Sequence, residues 1–147
     1  MSGHPFPNGP RHRAMFLAAG LWNLGWGART AYRPATFYRA AGLPVPARPE
    51  VAACLGMVVG LYGVLYLDVA RRPERGGLVA AVGLAGKVLG PVALALAVGQ
   101  RRWPPRAFLV TVGNDLIWWW PFARYLRDVA SSSAATRTRA ASPEHHH

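Results

Sequence analysis

The chain has 147 residues, of which 52 % are hydrophobic, and it carries a formal net charge of +11. Sixteen of its 17 basic residues are arginine, and most of them lie between long apolar runs. This pattern excludes a disordered basic tail protein and disfavours a soluble domain, which would spread its charges along amphipathic helices. A small integral membrane protein of one domain fits both the charge and the mean hydropathy of +0.12.

Four segments are almost free of charge, and they cover residues 14–28, 51–67, 76–100 and 107–123. A bilayer core about 30 Å thick requires about 20 apolar residues of helix. The first run is short, but arginines at its two ends can extend toward the head groups and lengthen it. We therefore predict four transmembrane helices. The alternative for any single short run is a buried helix of a soluble protein.

The connections between these runs are short and polar, so neighbouring helices should be antiparallel. The predicted fold is all-α: an up-and-down four-helix bundle, with a short interfacial helix over Ala35–Ala41 that ends at Gly42. Residues 1–12 and 129–147 are predicted to be disordered tails on either side of the bundle at 13–128. The final histidines, 145–147, are given no function.

The distribution of arginine indicates an orientation. An even number of spans places both termini on one side, which then carries nine arginines against seven on the other. The positive-inside rule favours cytoplasmic termini.

Polar residues inside the predicted spans are the most informative ones, because a charge at the bilayer centre costs about 2.5–3.5 kcal/mol. Lys87 and Asp115 lie near the middle of the third and fourth spans. Their main polar neighbours are Asn23, Tyr62, Tyr66 and Asn114. Counting the helical rise places Asn23 at a depth similar to theirs, and the lean of the side chains brings the polar ends of Tyr62 and Lys87 together. Lys87 should lean toward the face that carries the termini and Asp115 away from it, which does not favour a direct ion pair. Two interpretations stay open. The favoured one is a set of hydrogen bonds and one ion pair that only fixes helix packing. The other is a polar pocket in the inner half of the bundle, nearer the termini.

Small residues predict close helix contacts. The pairs Gly56–Gly60 and Gly86–Gly90 have small-xxx-small spacing, and Gly63 and Gly83 extend them. Such residues let helix backbones approach one another. Packing within the bundle is the favoured interpretation, and homodimerisation is the alternative.

An aromatic run follows Asp115. The favoured role of this run is anchoring in an interfacial aromatic belt. Trp118 and Trp119 lie three and four residues after Asp115, so they share its helix face. The alternative is therefore that they line a lipid-like ligand site.

No cofactor or metal site is predicted. Cys54 is the only cysteine, the histidines lie outside the predicted spans, and no nucleotide-binding loop occurs. Arginines that flank spans match anionic lipid head groups, so nucleic acid is not an expected partner.

Four blocks of sequence carry a resemblance: LWNLGWG (21–27), LGMVVGLYGVLYL (55–67), GLAGKVLGP (83–91) and NDLIWWWPF (114–122). They resemble a family of small four-span bacterial membrane proteins of undetermined function. The resemblance implies an inner-membrane location and a family pattern that includes Asn23, Lys87, Asn114, Asp115, Trp118 and Trp119. Some members are labelled alkyl hydroperoxide reductase. That chemistry needs a peroxidatic thiol with a reductive partner, so the label is not carried over to this chain.

These observations leave three functions open. The favoured hypothesis is a protein that binds a lipid or isoprenoid-like molecule, or an accessory subunit of a larger membrane complex. The second is a small membrane enzyme in which Lys87 or Asp115 provides isomerase-like acid–base catalysis. The third is an oligomeric conductor of protons or small solutes.

Overall fold

The computed structural model describes residues 6–141, with side chains to residue 138. Over these residues the chain is helical and contains no strand, which confirms the all-α prediction. The helices are α1 (Gly9–Tyr32), α2 (Ala35–Ala41), α3 (Glu50–Arg71), α4 (Gly77–Gly99), α5 (Phe108–Thr111) and α6 (Ile117–Ala141). Turns of 3₁₀ helix cover Pro73–Arg75 and Pro105–Ala107, and a π-helical segment, Val112–Leu116, joins α5 to α6.

Local sequence accounts for several helix ends. Glu50 in the first turn of α3 and Arg71 in its last turn complement the helix dipole. Gly42 ends α2 with a φ of +74°, a conformation that glycine adopts without strain. The short helix predicted between the first two apolar runs is thus confirmed at Ala35–Ala41.

Glycines bring the backbones of α1 and α3 into direct contact. A Cβ on Gly27 would lie 2.6 Å from the carbonyl oxygen of Gly56, and one on Gly63 would lie 2.8 Å from that of Gly20. Because the residue numbers rise along α1 while they fall along α3, the two helices are antiparallel. Gly56 and Gly63 were predicted from sequence, whereas their partners on α1 were not.

The other predicted glycines have different roles. A Cβ on Gly86 would meet nothing within 4 Å, and one on Gly90 would meet only the Asp115 carboxylate, at 3.8 Å. The prediction that Gly86 and Gly90 bring two helices together is therefore wrong. Gly60 belongs to the contact with α1, because a Cβ on Gly27 would lie 2.6 Å from its amide nitrogen, although a Cβ on Gly60 itself would fit, 4.0 Å from Cα of Gly27. Gly83 leaves room for the Tyr66 hydroxyl.

The helix α4 packs antiparallel on α6. Gly77, at the start of α4, lies against Val129, while Gly90, further along, lies against Asp115. By contrast, α3 and α4 make few contacts with each other. The bundle therefore consists of two closely packed pairs, α1 with α3 and α4 with α6, which leave space between α3 and α4.

Aromatic side chains fill one end of the bundle, which we call the terminal end because α1 begins there. Phe16 packs on Phe122 and Tyr125 with ring centroids 5.0 and 4.7 Å apart, and Tyr66 lies 5.2 Å from Phe122. All four are fully buried. The Tyr125 hydroxyl also donates a hydrogen bond to the carbonyl of Pro73, in the turn between α3 and α4.

Both predicted tails are shorter than expected. His12 is buried, and its Nε2 lies 2.8 Å from Oδ2 of Asp128, which also accepts a hydrogen bond of 2.9 Å from Asn8. At the other end α6 continues to Ala141, where alanine favours helix and serine hydroxyls bond to carbonyls one turn back. Within the stretches predicted as disordered tails, the structure thus has helix over residues 9–12 and 129–141. Residues 1–5 and 142–147, including the final histidines, lie outside the described residues.

Within the described residues, two helices are long and apolar enough to cross a membrane: α3 and α4. Only 22 % and 28 % of their most apolar stretches are buried inside the protein. Most of their apolar surface therefore faces outward.

Candidate ligand-binding cavity

A cavity of about 630 Å³ lies between α3, α4 and α5. It occupies the half of the bundle away from the terminal end. Its walls are apolar side chains and glycines, among them Leu55, Val58, Val59, Val82, Gly86, Gly90, Ala93, Leu94 and Val110. Its polar residues cluster at the inner end, which we call the floor: Asn23, Tyr62, Tyr66, Lys87, Asn114 and Asp115. The prediction of a pocket nearer the termini is wrong, because the aromatic core fills that half.

Lys87 and Asp115 meet at the floor. The buried Lys87 ammonium donates a hydrogen bond of 2.6 Å to the carbonyl of Asn114 and lies 3.9 Å from Oδ1 of Asp115. Since Gly90 is the residue of α4 opposite Asp115, the lysine extends toward the C-terminal end of α4. This is opposite to the direction predicted from sequence, and it brings the two charges together.

Two backbone carbonyls of the π-helical segment accept hydrogen bonds from side chains. In this segment the regular hydrogen-bond pattern of an α-helix is interrupted, and π segments of this kind are frequent at functional sites. The carbonyl of Asn114 accepts from Lys87, and that of Gly113 accepts a bond of 3.2 Å from Nε1 of Trp118. Both carbonyls are thus bonded to side chains.

The two tryptophans predicted to line the site hold the helices together instead. Nε1 of Trp119 donates a hydrogen bond of 2.8 Å to the carbonyl of Lys87, which links α6 to α4. Trp118 lies beneath the Lys87 ammonium, which is 5.9 Å from its ring centroid. Neither indole is part of the cavity wall, whereas the other six predicted site residues are.

Two side-chain acceptors at the floor lack partners. Asn23 is 3 % exposed, and its Oδ1 has no hydrogen-bond partner among the described residues. The same is true of Oδ1 of Asn114, whose Nδ2 donates a bond of 3.1 Å to Asp115. A buried acceptor without a partner costs about 1–3 kcal/mol. A donor brought beside either atom by a bound molecule would offset this cost.

Residues from the connecting segments close the end of the cavity opposite the floor, and sequence reasoning missed them. Phe37 of α2 lies 6.2 Å from Trp26 of α1 and 6.4 Å from Trp103 between ring centroids. A hydrogen bond of 3.1 Å from Arg106 to the carbonyl of Arg39 fastens the two connections to each other. An aromatic residue in the predicted interfacial helix was the available signal, but spacing along the chain does not show that α2 folds over the cavity.

The cavity is open at the side, between α3 and α4. Leu55 and Val58 of α3 line it and are 45 % and 51 % exposed, and Val82 of α4 lines it and is 47 % exposed. Gly86 is also exposed and carries no side chain. The opening therefore has an apolar rim.

A second polar cluster, at the terminal end, ties the start of α1 to α6. The hydrogen bonds from Asn8 and His12 lower the pKa of Asp128 below its usual value. Burial raises the pKa of Tyr125 to about 12. This cluster is a structural tether, and it lies at the opposite end of α1 from the cavity.

No group of three His, Cys, Asp or Glu side chains in the described part of the chain is arranged to hold a metal ion. Cys54 is an exposed free thiol on α3.

No family model matches the chain, and neither a curated protein nor a solved structure matches it. The site is therefore interpreted from its own geometry.

Proposed function

We propose that the protein spans the bacterial inner membrane four times and holds a lipid-like molecule in the cavity between α3 and α4. The observation that carries this proposal is the cavity itself, whose walls are apolar and whose floor contains buried acceptors without partners. Ligand sites are typically concave, about 300–1,000 Å³ in volume, mostly apolar and provided with a few placed polar groups.

Outward-facing apolar side chains support the membrane location. Leu61 of α3 is 65 % exposed, and Leu78 and Leu89 of α4 are 78 % and 66 % exposed. Removing apolar surface from water gains about 25 cal/mol of free energy per Å², a gain that these side chains would not have in water. Extended apolar surfaces are typical of contacts with a membrane or a partner. In a bilayer these side chains meet acyl chains.

The remaining helices support four spans. The helix α1 has 24 residues, about 36 Å at the helical rise, and packs antiparallel on α3 over its length. The continuous α5–α6 unit packs antiparallel on α4. If α3 and α4 cross the bilayer, α1 and the first part of the α5–α6 unit cross it beside them.

The side opening favours a ligand that comes from the bilayer. Its rim is apolar, and it lies between the two most apolar helices. A lipid-like molecule can pass from the acyl chains into the cavity through this rim and place its polar group at the floor.

Lipid analysis of the purified protein tests the proposal. The protein is extracted in mild detergent, and the bound species are quantified by mass spectrometry for wild type, Lys87→Met and Leu89→Met. We expect one species in near-stoichiometric amount with wild type, because the floor binds its polar group. The Lys87→Met variant should lose it, because the Asp115 carboxylate is then left at the floor without its counter-charge.

Leu89→Met is the matched control, because it introduces the same side chain on the same helix at a position facing outward. It should keep the wild-type lipid content. Equal lipid content in wild type and Lys87→Met would refute the ligand-binding role of this cavity.

A further inference from the structure

We propose that the ligand is a neutral amphiphile whose polar group is a hydroxyl that donates a hydrogen bond to Asn23. This inference rests on the proposed function of the cavity and identifies the chemical class of its ligand. It follows from the balance of hydrogen-bond donors, acceptors and charges at the floor.

Two acceptors there lack partners. Oδ1 of Asn23 and Oδ1 of Asn114 are both buried without a partner in the described part of the protein. A carbonyl-type oxygen can only accept, so each requires a donor from the ligand. A ligand group that is itself only an acceptor leaves both unmatched.

The floor also holds donors. The Lys87 ammonium bonds to the carbonyl of Asn114, and Nδ2 of Asn114 bonds to Asp115. Each of these two groups carries further hydrogens, and the hydroxyls of Tyr62 and Tyr66 can also donate to a ligand. A ligand group that both donates and accepts, as a hydroxyl does, therefore matches the floor.

The charges at the floor favour a neutral group. Lys87 and Asp115 lie 3.9 Å apart and offset each other. A carboxylate or phosphate there would face Asp115 and two carbonyl-type oxygens, and an ammonium would face Lys87. A hydroxyl avoids both conflicts, and its own oxygen can accept from the hydroxyl of Tyr62 or Tyr66, both of which line the cavity.

The reverse orientation of the ligand, with its polar group at the end of the cavity opposite the floor, is less favourable. Arg102 lines the far end of the cavity, where its Nε donates a hydrogen bond of 2.8 Å to Gln100. An anionic group held there would direct an apolar chain at the floor and leave both asparagine oxygens without donors. From Lys87 to Ala97 the wall of α4 spans about 15 Å at the helical rise, which accommodates the chain of a floor-bound alcohol.

Competition binding with three probes tests the inference. Tritiated dodecan-1-ol is bound to the delipidated protein in nanodiscs in a scintillation proximity assay, with empty nanodiscs subtracted. Unlabelled dodecan-1-ol, 1-methoxydodecane and dodecanoate then compete. We expect the alcohol to compete at about a tenfold lower concentration than either of the others, because only the alcohol donates a hydrogen bond.

Two variants identify the residue that accepts the hydrogen bond from the ligand hydroxyl. In Asn23→Leu the advantage of the alcohol over the methyl ether should fall several-fold, while competition by the ether stays unchanged. In Thr111→Val, the control, the advantage should remain, because that hydroxyl already bonds to the backbone.

The outcomes separate this inference from the proposed function. Equal competition by the alcohol and the ether, or a full advantage retained in Asn23→Leu, would overturn the hydroxyl assignment. A preference for dodecanoate would overturn it in favour of an anion at Arg102. Absence of specific binding by all three probes would reject the cavity as a lipid-like site. The comparison of probes on wild type needs no variant, so it holds even if Asn23→Leu does not fold.

Discussion

The contact between α1 and α3 allows a sharp test of the packing. In Gly27→Ala the new methyl carbon would lie 2.6 Å from both the carbonyl oxygen of Gly56 and the amide nitrogen of Gly60. Ordinary contacts of this kind begin near 3.4 Å, so the two helices must separate by about 0.8 Å. Both contacted atoms belong to the backbone, which cannot rotate away.

We expect this overpacking to cost about 1–3 kcal/mol of the free energy of unfolding. Gly25→Ala on the same helix is the matched control, because its methyl group would meet nothing within 4 Å. Both variants gain the same helix propensity, about 1 kcal/mol. The difference between them therefore isolates the cost at the helix contact.

The measurement is a reversible unfolding titration with SDS in mixed micelles, performed on wild type and both variants. Gly25→Ala should equal or exceed wild type, and Gly27→Ala should be about 1–3 kcal/mol less stable than Gly25→Ala. Equal stability of the two variants would refute the close approach of α1 and α3.

Three further predictions concern the charges and the membrane. Asp115→Asn leaves the Lys87 ammonium buried without a counter-charge and should lower the free energy of unfolding by about 3–5 kcal/mol. Adding Lys87→Met removes the unpaired charge and should restore a large part of this loss. Additive losses in this double-mutant cycle would contradict the ion pair. For Asp128, whose pKa is lowered in the folded state, the carboxylate stabilises the fold above its unfolded pKa of about 3.9 and loses this effect as the pH falls through the folded value. Wild type should therefore exceed Asp128→Asn in stability at pH 7, and the gap should close on acidification below about pH 4; a gap that is constant with pH would contradict the assignment. In a cysteine-free background, Leu61→Cys should resist a membrane-impermeant maleimide in sealed vesicles until SDS is added, although the side chain at this position is 65 % exposed on the protein. The control, Ser131→Cys, should react when the reagent is on the side of the termini. Equally fast labelling of the two variants would place α3 outside the bilayer.

The helices could be predicted because their signals are local. Apolar runs bounded by charged residues correspond to α3 and α4 within a few residues, and Gly42 marks the end of α2. The tails could not, because the pairing of His12 with Asp128 joins residues far apart in sequence. A stretch rich in serine and alanine is also compatible with either coil or helix.

The depth of the floor residues along the helices could be predicted, because depth follows from the helical rise per residue. Counting residues brought Asn23, Lys87 and Asp115 to a common level, and the structure places them on one cavity. The direction of the Lys87 side chain was not predictable, because it bonds to a carbonyl of the π-helical segment, which the sequence pattern did not indicate. The spacing also did not show that Trp118 and Trp119 contact Lys87 outside the cavity wall.

The tether between His12 and Asp128 also bears on the order of biogenesis. The two residues are 116 positions apart, and a ribosome adding about 5–20 residues per second makes the second about 6–23 s after the first. The α1–α3 hairpin can assemble during that interval, whereas Phe16 has no aromatic partner from α6 until the last helix emerges. A nascent chain arrested before Phe122 should therefore be a paired but incomplete intermediate, with its terminal end unsealed.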